Sequence, residues 1–156
     1  AQVAHFIAGG GVAHVLDPLR LARDRAGAVA EALALAEAQL PSGPVLIYST
    51  AEPMAVAAVQ AQLGTEGAGA LVEQALAEVA QGLLRLGVRQ LVVAGGETSG
   101  AVVQALGVRQ MQIGPQIDPG VPWCHAFGND GPLHLALKSG NFGSEDFFTK
   151  AFAQLA

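Results

Sequence analysis

The chain reads as an α/β fold: a mostly parallel sheet flanked by helices, with a C-terminal β-hairpin and a final helix. Three observations predict it. Short apolar runs such as Val45-Leu46-Ile47-Tyr48 and Leu91-Val92-Val93-Ala94 lack polar alternation, which fits strands covered on both faces. Around them lie longer segments in which apolar residues recur at helical spacing. The last third changes character, with Gly and Pro crowded into 114–122 and then two apolar runs around Gly128-Asn129-Asp130-Gly131. Asn and Gly there permit the positive φ of a hairpin turn.

Taken in order, Ala1 to Ala8 already has helical spacing with no cap before it, which predicts a segment cut from a longer chain. Gly9-Gly10-Gly11 ends that helix, and 12–16 reads as a short strand. Asp17-Pro18 opens a long helix, with Pro at a tolerated first-turn position. Pro41-Ser42-Gly43-Pro44 is a turn into the strand 45–48. The loop Ser49-Thr50-Ala51-Glu52-Pro53 leads to a helix over 54–63, residues 64–69 read as a linker, and 70–86 as another helix. A second covered strand is predicted at 90–94, then Gly95-Gly96-Glu97-Thr98-Ser99-Gly100 and a short helix over 101–106. Residues 108–113 read as a strand, 114–122 as an irregular loop, and 123–127 with 133–137 as the hairpin. Lys138-Ser139-Gly140-Asn141-Phe142-Gly143 precedes the final helix, for which Ser144 is the expected cap.

With 156 residues the chain suits one compact domain spanning 1–156. Its hydrophobic share of 51% excludes a disordered segment, because enough apolar surface is available to offset backbone entropy. A charged share of only 13% leaves little polar surface, so either several elements are covered on both faces or one face meets a partner. The net charge is −5 and the 8 Lys and Arg residues are scattered, which argues against nucleic-acid binding. No apolar run of about 18 residues predicts a membrane-spanning helix, and Glu31, Glu37 and Gln39 interrupt the Ala-rich stretch 26–40. No charged region followed by an apolar one opens the chain as in a secretory signal. The lone Cys124 cannot form an internal disulfide, and a reducing, cytoplasmic setting is the default. A catalytic thiol and a small apolar residue after Trp123 are its two readings; the second is favoured.

Ligands of open α/β sheets sit beyond the carboxyl ends of the strands. Three polar, Gly-bearing loops follow apolar strands here, at 49–53, 95–100 and 138–143, and their convergence on one edge is expected. The second is the strongest. Gly95 and Gly96 allow backbone to approach a ligand closely, and a helix start beyond them offers N–H groups and a positive dipole end to phosphate. Thr98 and Ser99 add hydroxyl donors. Glu97, an acceptor, suits Mg²⁺, a ribose hydroxyl or an amine better than phosphate. A tight strand–helix turn with a hydroxyl cap, needing no ligand, fits the pattern equally. Neither a Walker A run nor a dinucleotide fingerprint is present: Gly67-Ala68-Gly69 is followed by Ala70-Leu71-Val72 and follows helix. In the third loop Gly140 and Gly143 bracket Asn141 and Phe142 beside Lys138, while Glu145 and Asp146 already complement a helix dipole. That loop suits contact with a nucleoside, or a surface Lys and a plain turn. At 48–50 the run Tyr48-Ser49-Thr50 lacks the Gly-x-Ser-x-Gly elbow of hydrolases, so a helix cap is its expected role. His5, His14, His125 and His134 share no metal-ligand spacing and are read as structural, with His125 and His134 facing across the hairpin. No catalytic residue can be singled out.

Three segments together go further. Gly95-Gly96-Glu97-Thr98-Ser99-Gly100, the run from Gln112-Ile113-Gly114-Pro115 to Pro122-Trp123, and Leu135-Ala136-Leu137-Lys138-Ser139-Gly140-Asn141-Phe142-Gly143 occur in that order with short spacers. In this combination, and over its whole length, the chain resembles the C-terminal nucleotide-binding domain of the four-carbon acid sugar kinase family. Tyr48 to Pro53 and the helix at Gln2-Val3 resemble it too. The resemblance implies a two-domain kinase that uses ATP to phosphorylate sugar acids such as tetronates and 3-oxo-tetronates, with Mg²⁺. The N-terminal domain of such a kinase holds the sugar acid and the C-terminal domain supplies most ATP contacts. Carried over residue by residue, Gly96, Glu97, Thr98 and Ser99, preceded by Gly95, match the family's ATP loop, and Gly140 matches a second contact. The family's Asp-Asp-rich motif and its Gly-Ser-Cys-Ser segment are not in this chain, so these residues alone are expected to lack turnover. A non-enzymatic small-molecule-binding module of the same fold is the alternative.

Overall fold

Asp17 and Pro18 show how local sequence starts an element. Asp17 sits in extended conformation and its carboxylate accepts from the Leu19 N–H at 3.0 Å, while Pro18 occupies the first position, where no N–H is needed. The computed structural model describes residues 1–49, 53–139 and 142–155. Along the chain these are α1 Gln2–Ala8, β1 Val12–Leu16, α2 Pro18–Gln39, a 3₁₀ turn Leu40–Ser42, β2 Val45–Ser49 and α3 Pro53–Arg85. Then follow β3 Gln90–Ala94, α4 Gly96–Leu106, β4 Gln110–Asp118, β5 Val121–Gly128, β6 Gly131–Lys138 and α5 Phe147–Leu155.

The strands form a 2-stranded sheet, β1-β2, and a 4-stranded sheet of order β3-β6-β5-β4. Parallel pairing joins β1 to β2 and β3 to β6, as the covered apolar runs predict. The pairs β5·β6 and β4·β5 are antiparallel, so the α/β class holds with its C-terminal strands and final helix, but the sheet is not all parallel. His125 lies opposite His134 across the β5–β6 pair, with ring centroids 5.5 Å apart.

Helices cover both faces. On one, Ala80 and Leu84 of α3 and Val102 and Leu106 of α4 pack with Val93, Ala126, Leu133 and Leu135. On the other, Phe6 of α1 and Phe147, Phe148 and Ala151 of α5 pack with Trp123, Val121 and Ala136. The Trp123 indole N–H donates to the Ala151 carbonyl at 2.8 Å, satisfying a polar atom that burial would otherwise strand. A third cluster joins α2 and α3 to Leu16 of β1.

Three local expectations are corrected. The linker at 64–69 is helix: Gly64 alone leaves helical geometry, at φ 77° and ψ 167°, and α3 resumes beyond it. Each helical Gly costs about 1 kcal/mol, which the packing of the buried Ala68, Ala75 and Val79 overrides. The irregular loop at 114–122 is mostly strand, because β4 keeps pairing to Asp118 through register shifts on either side of Gln116. Pro115 is tolerated there because β4 is an edge strand with an irregular ladder. Ser144 does not cap α5 with its hydroxyl, which is turned to Asp118 and Asp146; the helix starts at Phe147, whose N–H donates to the Ser144 carbonyl at 3.1 Å.

Candidate functional site

The carboxyl ends of β3 and β6 are tied at one point. Ala94 pairs with Lys138, and one residue on, the Gly95 N–H donates to the Lys138 carbonyl at 2.8 Å. That bond brings two of the polar loops side by side. Gly95 has φ 112°, a conformation an L side chain rarely adopts, and it turns the chain from strand directly into helix. The expected helix start at Ala101 therefore moves back: α4 begins at Gly96 and includes Glu97, Thr98, Ser99 and Gly100. The N-cap residue is Gly95, which has no side chain with which to accept from the first-turn N–H groups, so the hydroxyl-capped turn is not what forms. A Cβ placed on Gly96 would meet nothing within 4 Å, so no packing among the described residues calls for glycine there. Glu97 is exposed, Thr98 half-buried and Ser99 only 9% exposed. The Ser99 Oγ is buried and has no hydrogen-bond partner among the described residues. Among the described residues, first-turn N–H groups without a side-chain cap, a dipole end and a hydroxyl without a partner form a place for an anion.

Lys138 is not the surface residue its sequence position allows. It is 2% exposed, because β6 lies inside the sheet and α5 packs over it. Its ammonium donates to the Ser139 carbonyl at 3.2 Å and lies 5.7 Å from the Phe147 ring centroid. Burial lowers its pKa from the ordinary lysine value. Gly140, the second expected contact, lies outside the described residues, as do Thr50, Ala51 and Glu52 of the first loop. Ser49 closes β2 and a helix starts at Pro53, as expected.

The end of the third loop is clamped from two sides. The Gln2 side-chain amide donates to the carbonyls of Phe142 at 3.0 Å, Gly143 at 3.3 Å and Ser144 at 3.0 Å. From β4, Asp118 pairs with Lys150 and accepts from the Ser144 N–H at 3.0 Å. Lys150 first, then the Ser144 N–H, hold the Asp118 carboxyl below the usual carboxylate range.

Sequence reasoning missed Glu73. It lies on α3, 24 residues before Glu97 by their numbers, and its carboxyl hydrogen-bonds that of Glu97 on α4. This bond first, then desolvation and the like charge of Glu97, raise the Glu73 pKa. Only the packing of α3 on α4 brings the two together, so no local signal could have found the pair. Cys124 is half-buried and burial pushes its thiol pKa up, away from nucleophilic thiolate. Among the described residues no group of three or more His, Cys, Asp or Glu could hold a metal ion, and no helix is long and apolar enough to cross a membrane. A cavity of about 650 Å³ is at the opposite end of the sheet, by the amino halves of β2 and β3.

Residues 1–148 match the family described as the nucleotide-binding C-terminal domain. The chain belongs to that family. The glycine-lined start of α4 is therefore a candidate nucleotide contact in a nucleotide-binding domain. A 3-oxo-tetronate kinase of Pseudomonas fluorescens is 59% identical over all of this chain, which covers 35% of that protein. A 3-oxo-tetronate kinase of Cupriavidus necator is 60% identical over 99% of the chain, again 35% of the relative. The domain thus spans about a third of the length of the relatives it matches. Among solved structures, a Haemophilus influenzae protein superposes with a TM-score of 0.85 at 34% identity, over 100% of this chain and 38% of its own. A Salmonella typhimurium protein superposes with a TM-score of 0.80 at 40% identity, over 98% of this chain and 37% of its own.

Proposed function

We propose that this domain holds ATP, with Mg²⁺, in a cytoplasmic two-domain kinase that phosphorylates a four-carbon sugar acid of the 3-oxo-tetronate type. The observation that carries the reading is the start of α4. Gly96 leaves space for close approach, the first-turn N–H groups have no side-chain cap from Gly95, and Ser99 Oγ has no partner among the described residues. Relatives at 59% and 60% identity that act on 3-oxo-tetronate supply the substrate class.

Phosphoryl transfer is largely positioning and charge stabilisation. In this reading the N–H groups of Gly96, Glu97 and Thr98 bind phosphate oxygens, and the hydroxyls of Thr98 and Ser99 add donors. Mg²⁺, which usually takes one or two carboxylates besides phosphates, would neutralise phosphate charge. Exposed Glu97 is the acceptor suited to that ion or to a ribose hydroxyl. Gly140 contributes a further contact, upstream of Phe142 and Ser144, which Gln2 and Asp118 hold. A separate N-terminal domain presents the sugar hydroxyl, and closure of the two halves keeps water from the transferring phosphate.

The test is a coupled phosphorylation assay with 3-oxo-tetronates on three samples: the full-length protein, these 156 residues alone, and the latter mixed with the N-terminal part. Turnover is expected in the first, absent in the second and recovered in the third. Turnover by the domain alone would refute this division of roles.

A further inference from the structure

The large cavity is a slot between two sheet edges. Val45 and Leu46 of β2 border one side, and Gln90, Leu91 and Val92 of β3 border the other. Among the described residues β2 pairs only with β1 and β3 only with β6, so each has a second edge whose backbone N–H and C=O groups have no strand partner there. Free edges are normally blunted by charge, proline or bulges. β4 is blunted in this way by Pro115 and its register shifts, whereas β2 and β3 offer plain apolar runs. Such runs belong to strands in the middle of a sheet.

The two edges also share one plane. Leu46 and Val92 both pack against the cluster of Phe6 and Phe148, while Ile47 and Val93 belong to clusters built on α3. Their amino halves line the same slot, so the strands run in the same direction. We infer that the slot takes one more β-strand, parallel to both, and that it comes from the segment of the full-length chain leading into Ala1. The two sheets then become one, in the order β1-β2-new strand-β3-β6-β5-β4.

The relatives carry most of their length outside the part matched here, so such chain exists in them. Gln2 lies at the carboxyl end of β6, bonded to the carbonyls of Phe142 and Ser144. A strand leaving the slot at that end therefore emerges beside the start of α1. The helix then returns the chain to the amino end, where Gly9 to Gly11 line a groove with Pro44, and β1 rises parallel to the inserted strand. This is the strand–helix–strand crossover that parallel pairing requires. Facing ladders of 5 residues on each side set its length. Aromatic rings below and Leu83 and Leu86 beside α3's end call for apolar residues on both of its faces.

Amide hydrogen exchange on the full-length protein tests it. The peptides over 45–49 and 90–94 should exchange at least about tenfold more slowly than the edge strand β4, and replacing the roughly ten residues before Ala1 with a Gly/Ser linker should abolish the difference. Exchange of β2 and β3 at the rate of β4 in the unaltered protein would overturn the inference, whether or not the linker variant folds. So would protection that survives the linker, appears only at high protein concentration, or appears only on adding Mg-ATP; these point to another segment, a second copy or a small ligand.

Discussion

The two ends of this sheet teach opposite lessons about where a site lies. The amino end has the volume, about 650 Å³, and is lined by aliphatic and aromatic groups with strand edges left open. The carboxyl end concentrates chemistry. A helix begins there on glycine, a serine hydroxyl has no partner among the described residues, and the lysine that ends β6 is buried. The cavity alone would point to the amino end. Unsatisfied polar groups choose the other, because a buried donor without a partner costs about 1–3 kcal/mol and persists where something else completes it. The amino end reads as unfinished packing; the carboxyl end reads as a ligand contact.

The largest expected effect separates the two ends by stability. Phe147→Ala removes a fully buried ring beneath Lys138 and should cost about 3–5 kcal/mol in chemical denaturation. Leu46→Ala, at the half-open slot, should cost less in these 156 residues and more in the full-length protein if a strand fills the slot. Equal costs for Leu46→Ala in the two settings would break that side of the comparison.

Adjacent glycines sharpen the other side. Gly95→Ala must place a Cβ at φ 112° and should lower stability by about 1–2 kcal/mol. Gly96→Ala meets open space in a helix and should leave the melting temperature unchanged or slightly raised, while weakening nucleotide binding. Melts with and without Mg-ATP read both quantities, since ligand stabilisation reports affinity.

The smallest effect concerns Glu73. Its raised pKa means the folded state holds a proton that the unfolded state releases. The stability it adds is complete below its ordinary value of 4.5 and is lost as pH rises through the raised one. Glu73→Gln keeps a donor to Glu97 without that proton, so the fall in melting temperature across this window should flatten. An unchanged profile would show that the carboxyl pair does not link α3 to α4.

Much of this was legible in the sequence where the signal is local. The strands Val12–Leu16 and Gln90–Ala94 are apolar runs bracketed by Gly, Pro or polar residues, and both form as read. Asp17-Pro18 announces α2 because capping needs only neighbours in sequence. What could not be read depends on distant partners. β4 runs on past Gly114 and Pro115 because β5 is there to pair with it, and α3 passes Gly67 and Gly69 because α2 packs on it. At the site, the glycine-rich run marked the loop at 95–99, but its position in the first turn of α4 follows from the Gly95–Lys138 bond. The burial of Lys138 depends on β6 lying between β3 and β5, an arrangement that only the folded sheet displays.

The central claim is that nucleotide phosphate sits on the start of α4. Calorimetric titration of these 156 residues with Mg-ATP, beside a Gly96→Asp, Thr98→Ala variant shown to be folded by circular dichroism, tests it most directly. The account predicts saturable binding to the unaltered domain and a loss of at least about tenfold in the variant, equivalent to about 1.4 kcal/mol. Binding of equal strength to both would remove α4 from the site.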